Sequence, residues 1–211
     1  MRDDRRMSEQ LLLPGIDPPP PPLRRPRGKA QRKEHPSHSL FFAIFPGAED
    51  AAAIAAQGVR LHDLHALKET PIKPHRLHVT LHFLGGYETV PRRKVQAALE
   101  AAAIVAPPSF DVVFDRAMTY ANSKAFVLCG EEGVSALADF RQRLGEALAD
   151  AGFKPERGFT PHMTLAYIRR KIEKHAVEPV RWTASSFALI DSHTGEGIHE
   201  VLGHWPPDRS A

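Results

Sequence analysis

The stretch Leu77-His78-Val79-Thr80-Leu81-His82-Phe83-Leu84-Gly85 returns 84 residues later as Pro161-His162-Met163-Thr164-Leu165-Ala166-Tyr167-Ile168. Both copies read His-x-Thr-Leu. Alternation of polar with large apolar side chains is the period-2 signature of a half-buried strand. On that pattern Val79, Leu81 and Phe83 face a core while His78, Thr80 and His82 face away, and Met163, Leu165 and Tyr167 repeat the inward set. Each copy then carries one imidazole and one hydroxyl on the same strand face, about 6.5–7 Å apart along the strand. A single His-x-Thr is a weak signal. Two copies in matching strand patterns, the second entered through Phe159-Thr160-Pro161, make a two-histidine, two-hydroxyl constellation.

Around these motifs a strand is expected at 40–45, an alanine-rich helix from about Glu49 to Leu67, and the first motif strand at 77–84, ended by Gly85-Gly86. Pro91 suits the first position of a helix over Arg92 to Val105, which Pro107-Pro108 stops. Phe110 to Phe114 and Ala125 to Cys129 read as a hairpin with a long connection through Tyr120 to Lys124. Leu137, Phe140, Leu144 and Leu148 recur at helical spacing, giving a third helix from about Val134 to Ala151 closed by Gly152. The second motif strand follows, then a basic segment to Lys174 and strands at Ser186 to Ile190 and Glu200 to His204. Two halves, each presenting a His-x-Thr strand with a helix nearby, suggest two similar lobes facing across a cleft.

At 211 residues the chain is long enough for one domain with a sizeable core. Residues 1–37 carry eight of the 19 prolines, including Pro18 to Pro22, and lack periodicity. They are read as a disordered, basic, proline-rich tail ahead of a domain spanning 38–211. That tail holds nine basic and five acidic residues, whereas 38–211 holds 19 basic and 20 acidic. The body is therefore not globally basic, and attraction for phosphate has to come from local clusters such as Lys73-Pro74-His75-Arg76. The single cysteine, Cys129, excludes an intrachain disulfide and a cysteine-rich zinc site. No run of 18 apolar residues and no signal-peptide apolar region is present, so no membrane association and a cytoplasmic location are expected.

With these motifs the chain resembles the two-histidine phosphoesterases, specifically the RNA 2',3'-cyclic phosphodiesterases long called 2'-5' RNA ligases. The resemblance covers most of residues 39–206. It is carried by Leu40-Phe41-Phe42-Ala43-Ile44-Phe45-Pro46, by His78 to Gly85, by Gly158 to Leu165, and by Glu200-Val201-Leu202-Gly203-His204-Trp205-Pro206. The chain departs from the family pattern at His199, where a tyrosine is usual, and at Tyr167, where a basic residue is common. The resemblance implies a mixed α+β fold, two mainly antiparallel sheets lining a cleft with helices outside.

The motifs contain what opening a cyclic phosphodiester needs. One imidazole can sit neutral as base and the other protonated as acid, since histidine titrates near neutrality. The Thr80 and Thr164 hydroxyls can donate to the phosphate oxygens. The near-symmetric motifs leave open which histidine does which; the resemblance implies His78 as acid and His162 as base. Neither cofactor nor metal is needed. The implied partners are RNA ends or nucleotides carrying a 2',3'-cyclic phosphate, acted on by a monomer. Phe159 and Tyr167 are candidates for stacking on a base, with core packing favoured for Tyr167; Arg157 is a candidate for meeting phosphate, and His82 is expected at the rim. His35, His38, His62, His65, His175, His193, His199 and His204 lie outside any paired motif and are assigned no role.

Three alternatives stand beside hydrolysis of cyclic phosphates. A nucleotide-binding module of the same fold would have lost turnover, and a ligase or 2'-5' phosphodiesterase would act on a different linkage. A metal-dependent hydrolase is disfavoured, because the sequence has no His-x-His, no helical His-x-x-x-His pair beside a glutamate and no matched carboxylates in the motif strands.

Overall fold

The structure, a computed structural model, describes residues 36–131, 133–156 and 158–207. Nearly all of the expected tail, and Arg157, lie outside them. In chain order the elements are β1 (His38–Ile44), α1 (Ala48–Leu64), a 3-10 turn (Pro74–Arg76), β2 (Val79–Tyr87), α2 (Arg92–Ala103), β3 (Phe110–Tyr120) and β4 (Ala125–Cys129). Then come α3 (Ser135–Asp150), β5 (His162–Tyr167), β6 (His175–Ala184), β7 (Phe187–His193) and β8 (Ile198–Trp205).

The strands form two four-stranded sheets, ordered β2-β1-β7-β8 and β5-β4-β3-β6, every neighbouring pair antiparallel. Each motif strand is thus the edge of its own sheet, and the two edges lie against one another. The fold is the expected two-lobed α+β arrangement.

Apolar side chains from both sheets and all three helices make one continuous core, with Phe42, Phe114, Phe126, Phe140 and Phe187 fully buried. In α3 the predicted stripe of Leu137, Phe140, Leu144 and Leu148 is buried. At about 1.5–3 kcal/mol for each fully buried apolar side chain, that stripe holds the helix down. Gly152, at a φ of +86°, ends it: the Gly152 and Phe153 amides donate back to the Ala149 and Leu148 carbonyls.

Three sequence expectations are corrected. Strand β6 follows the basic segment to Lys174, over residues for which no element was expected. Its sequence, His-Ala-Val-Glu-Pro-Val-Arg-Trp-Thr-Ala, is polar and contains Pro179, which hides the strand signal. An edge strand tolerates both, and β6 pairs only with β3. Next, Gly85-Gly86 does not end β2, which stays paired to β1 as far as Tyr87↔His38.

The third correction concerns which way the motif side chains point. In β2 the register against β1 slips between Phe42 and Ala43, so that Phe42 faces His82, Ala43 faces Thr80 and Leu81 is the extra residue. In β5 the register against β4 slips between Phe126 and Val127, and Leu165 is the extra residue. A bulge inserts one residue and so inverts the alternation beyond it. Hence Phe83 and Tyr167, expected in the core, are 49% and 60% exposed, while His82, expected at the rim, is 6% exposed.

Candidate active site

His78 and His162 line a single cavity of about 300 Å³, together with Thr80 and Thr164. Each pair arrives on its own sheet edge, before the bulge, where the alternation is still regular. The remaining lining includes Phe41, Arg76, Phe83, Tyr167, His199, Ser39 and Ser192. Among the described residues no carboxylate lines it. The cavity therefore offers the Arg76 guanidinium, imidazoles and hydroxyls to an anion, although the body of the protein is slightly acidic.

The two imidazoles are held in the same way. His78 Nδ1–H donates to the carbonyl of Arg76 and His162 Nδ1–H to the carbonyl of Thr160, each at 2.7 Å and each two residues upstream. A carbonyl only accepts, so Nδ1 carries a proton in both imidazoles and Nε2 is the ring atom left to face the cavity's ligand. The 3-10 turn Pro74–Arg76 delivers the first of these carbonyls just ahead of β2.

Their surroundings differ. Phe41 stacks on His78 with centroids 5.2 Å apart, Phe45 covers it at 5.6 Å and His199 meets it edge-on at 5.4 Å. Burial pushes His78 below the usual histidine range. The Arg76 guanidinium and His162 push the same way, while the bond to the Arg76 carbonyl opposes them. In the free protein His78 is therefore held toward the neutral form. His162 instead meets the edge of the Tyr120 ring at 5.0 Å. The Tyr120 hydroxyl is buried with no hydrogen-bond partner, and burial raises its pKa to about 12.

The sequence motifs missed several cavity residues. His199 is one: the Arg76 Nη2 donates to its Nε2 at 3.3 Å, and burial, with His78, Arg76 and His75, lowers its pKa to about 4. It is a neutral group, with Nδ1 buried and unpartnered. Its signal in the sequence was only a departure from a family pattern. Arg76 was visible within a basic cluster but indistinguishable there from a surface arginine. Phe83 was hidden by its bulge, and the bulge at Leu165 turns Tyr167, a stacking candidate favoured for the core, into the cavity.

Two other candidates lie elsewhere. His82 points to the opposite face of β2, where its Nε2–H donates to the Arg141 carbonyl at 2.8 Å on α3. Gly145 makes room for it, since a Cβ there would stand 2.9 Å from the imidazole. Phe159 is not brought to the histidines: it lines a neighbouring hollow of about 430 Å³ under the Arg141 guanidinium, 4.6 Å from its ring. Phe83 lines both spaces.

A family model described as the 2'-5' RNA ligase superfamily matches residues 48–196. No curated protein matches the sequence. Among solved structures, E. coli LigT complexed with 3'-AMP is 26% identical with a TM-score of 0.64, the alignment covering 80% of this chain and 97% of that one. E. coli LigT complexed with NADP+ is 25% identical with a TM-score of 0.62, covering 81% and 97%. TT0787 of Thermus thermophilus, 20% identical over 79% and 96% with a TM-score of 0.63, shares the fold.

Proposed function

Because the chain belongs to the 2'-5' RNA ligase superfamily, the two-histidine phosphoesterases, we propose that it hydrolyses 2',3'-cyclic phosphate ends of RNA or nucleotides to 2'-phosphates without a metal. The observation that carries the reading is the shared cavity. Two imidazoles, each with Nδ1 tied to a carbonyl and Nε2 free, enter it from two sheets beside two threonine hydroxyls. In-line displacement at phosphorus needs a base on one side and an acid on the other, which two facing edge strands supply. The phosphodiester chemistry of the superfamily and the nucleotides bound by E. coli LigT support a phosphate ester as substrate.

In this mechanism His162 Nε2 takes a proton from water as the water oxygen bonds to phosphorus. The P–O3' bond breaks and His78 Nε2–H protonates the departing 3'-oxygen, leaving the 2'-phosphate. Thr80 and Thr164 donate to the nonbridging oxygens, and Arg76 adds positive charge at the same wall. Since the free protein holds His78 toward the neutral form, the phosphodiester anion brings the acid into play by stabilising its imidazolium on binding. Phe83 and Tyr167 flank the phosphate site as stacking surfaces for the bases beside it. Incubating the protein with a nucleoside 2',3'-cyclic phosphate and separating the monophosphate isomers tests the assignment. The 2'-phosphate is expected; a 3'-phosphate product reverses the orientation, and no turnover leaves a binding module.

A further inference from the structure

Directly behind the cleft, on the other face of β1, β7 and β8, stands a second cluster of chemistry-bearing side chains: His38, Asp191, His193 and Glu200. The sheet register builds it. His38 is the Cα partner of His193 across β1 and β7, and Asp191 is the partner of Glu200 across β7 and β8. Directly opposed residues of an antiparallel pair share a face, with Cβ atoms about 4.5–5.5 Å apart. Asp191 and His193, two apart on one strand, share that face too. Two imidazoles and two carboxylates are thereby set at the corners of one patch.

From this geometry we infer that His38, Asp191, His193 and Glu200 form a structural site for a divalent first-row cation, zinc fitting best. The candidate ligand atoms of His38, Asp191 and His193 all lie within 4.8 Å of one another. His38 Nδ1 is 2.9 Å from Asp191 Oδ2, while His193 Nε2 is 3.8 Å from the same oxygen and 3.7 Å from Glu200 Oε2. Zinc held at about 2.0–2.2 Å by nitrogen and oxygen puts neighbouring tetrahedral ligands about 3.3–3.6 Å apart. The observed separations bracket that edge. Those from His193 are too long for hydrogen bonds, and among the described residues its ring makes none. Asp191 is 5% exposed, so its charge is withdrawn from water and facing two imidazoles.

Binding at His38 Nδ1 would give up the hydrogen bond it now donates to Asp191 and move that proton to Nε2, so that the imidazole ligates as the neutral Nε2–H tautomer. His38, Asp191 and His193 supply three ligands, and the Glu200 carboxylate, 3.7 Å from His193 Nε2, closes the sphere as a fourth by turning in on binding, which is the form of a structural rather than a catalytic zinc site. The site is separate from the chemistry proposed above. Ser39 and Ser192, Cα partners one residue along the same strands, point instead into the cleft, so an ion would clamp the strands whose opposite face carries its wall.

Titration of the full-length, metal-stripped protein with zinc alone, followed by calorimetry, tests this. One zinc per chain and a raised melting temperature are expected. His193→Gln should weaken that binding at least about 100-fold, since losing a group that merely supports a ligand already costs about 10–100-fold. Glu200→Gln, at an exposed corner, should weaken it less, and the metal-free melting temperatures should match wild type. Equal zinc binding by wild type and His193→Gln would overturn the assignment. Cobalt added to wild type gives a readout independent of any variant: visible bands of tetrahedral intensity support the site, and their absence overturns it.

Discussion

Phe83 and Tyr167 occupy equivalent positions on the two edge strands, each five residues past its motif histidine and each turned into the cleft by a one-residue bulge at the leucine of His-x-Thr-Leu. The repeat therefore extends beyond the histidines and threonines to a pair of aromatic rings, one from each lobe. Stacking a base on an aromatic ring contributes about 1–3 kcal/mol. Phe83→Ala and Tyr167→Ala are each expected to raise KM for a cyclic-phosphate-ended oligonucleotide roughly 5–150-fold with a smaller change in kcat. Tyr167→Phe should leave it near wild type. Steady-state kinetics on a dinucleotide and a longer oligonucleotide check this; unchanged KM in both alanine variants would remove the rings from recognition.

The pH dependence follows from burial of His78. Its pKa in the free protein is below the usual value near 6.5, and an acid must be protonated to act. The fraction of competent free enzyme then falls as pH rises through that lowered value, so kcat/KM should be greatest on the acid side of neutrality. Bound phosphodiester raises the same pKa, and kcat should hold to higher pH than kcat/KM. If His78 were the base, kcat/KM would instead rise through the lowered pKa and level off near neutrality. Arg76→Gln removes one cause of the lowering and should shift the alkaline limb of kcat/KM upward while raising KM.

His82 separates the two faces of β2. It lies on the same strand as His78 but bonds α3, so His82→Ala should leave kcat within a few-fold of wild type while destabilising the protein. Loss of a buried hydrogen bond places the cost at about 1–3 kcal/mol, readable in urea denaturation. A stable variant with turnover as low as a His78 variant would put His82 in the cleft instead.

How far the sequence carried the reading depends on what decides each feature. The motif strands, the three helices and the division into two lobes follow from local periodicity, because each element buries one regular face. The position of His78, Thr80, His162 and Thr164 in one cavity also follows, since all four precede the bulges. What lay beyond was not legible. A bulge is set by the partner strand: nothing in Leu81 or Leu165 itself signals that Phe42 and Ala43, or Phe126 and Val127, will skip it. Strand β6 was invisible because an edge can be polar and carry a proline. His199 and Arg76 reach the cavity from a distant strand and a short turn, so only tertiary assembly places them beside His78.

Chelation separates the two readings of the histidines. Turnover of a nucleoside cyclic phosphate should survive exhaustive EDTA treatment at about 25 °C, because the imidazoles and hydroxyls supply the acid, the base and the oxyanion donors. The melting temperature should fall as zinc is stripped from the face behind the cleft. Loss of turnover at a temperature where the protein stays folded, restored by zinc or manganese, would place a metal in the reaction itself.

The most direct test of the account is the rate at which His78→Ala and His162→Ala hydrolyse a nucleoside 2',3'-cyclic phosphate, measured beside their melting temperatures. General acid–base groups typically contribute about 10²–10⁴-fold each, and both imidazoles line the cavity rather than the core. Each variant is predicted to lose turnover by about that factor while remaining folded. A folded variant of either kind with a near-normal rate would contradict the two-histidine mechanism.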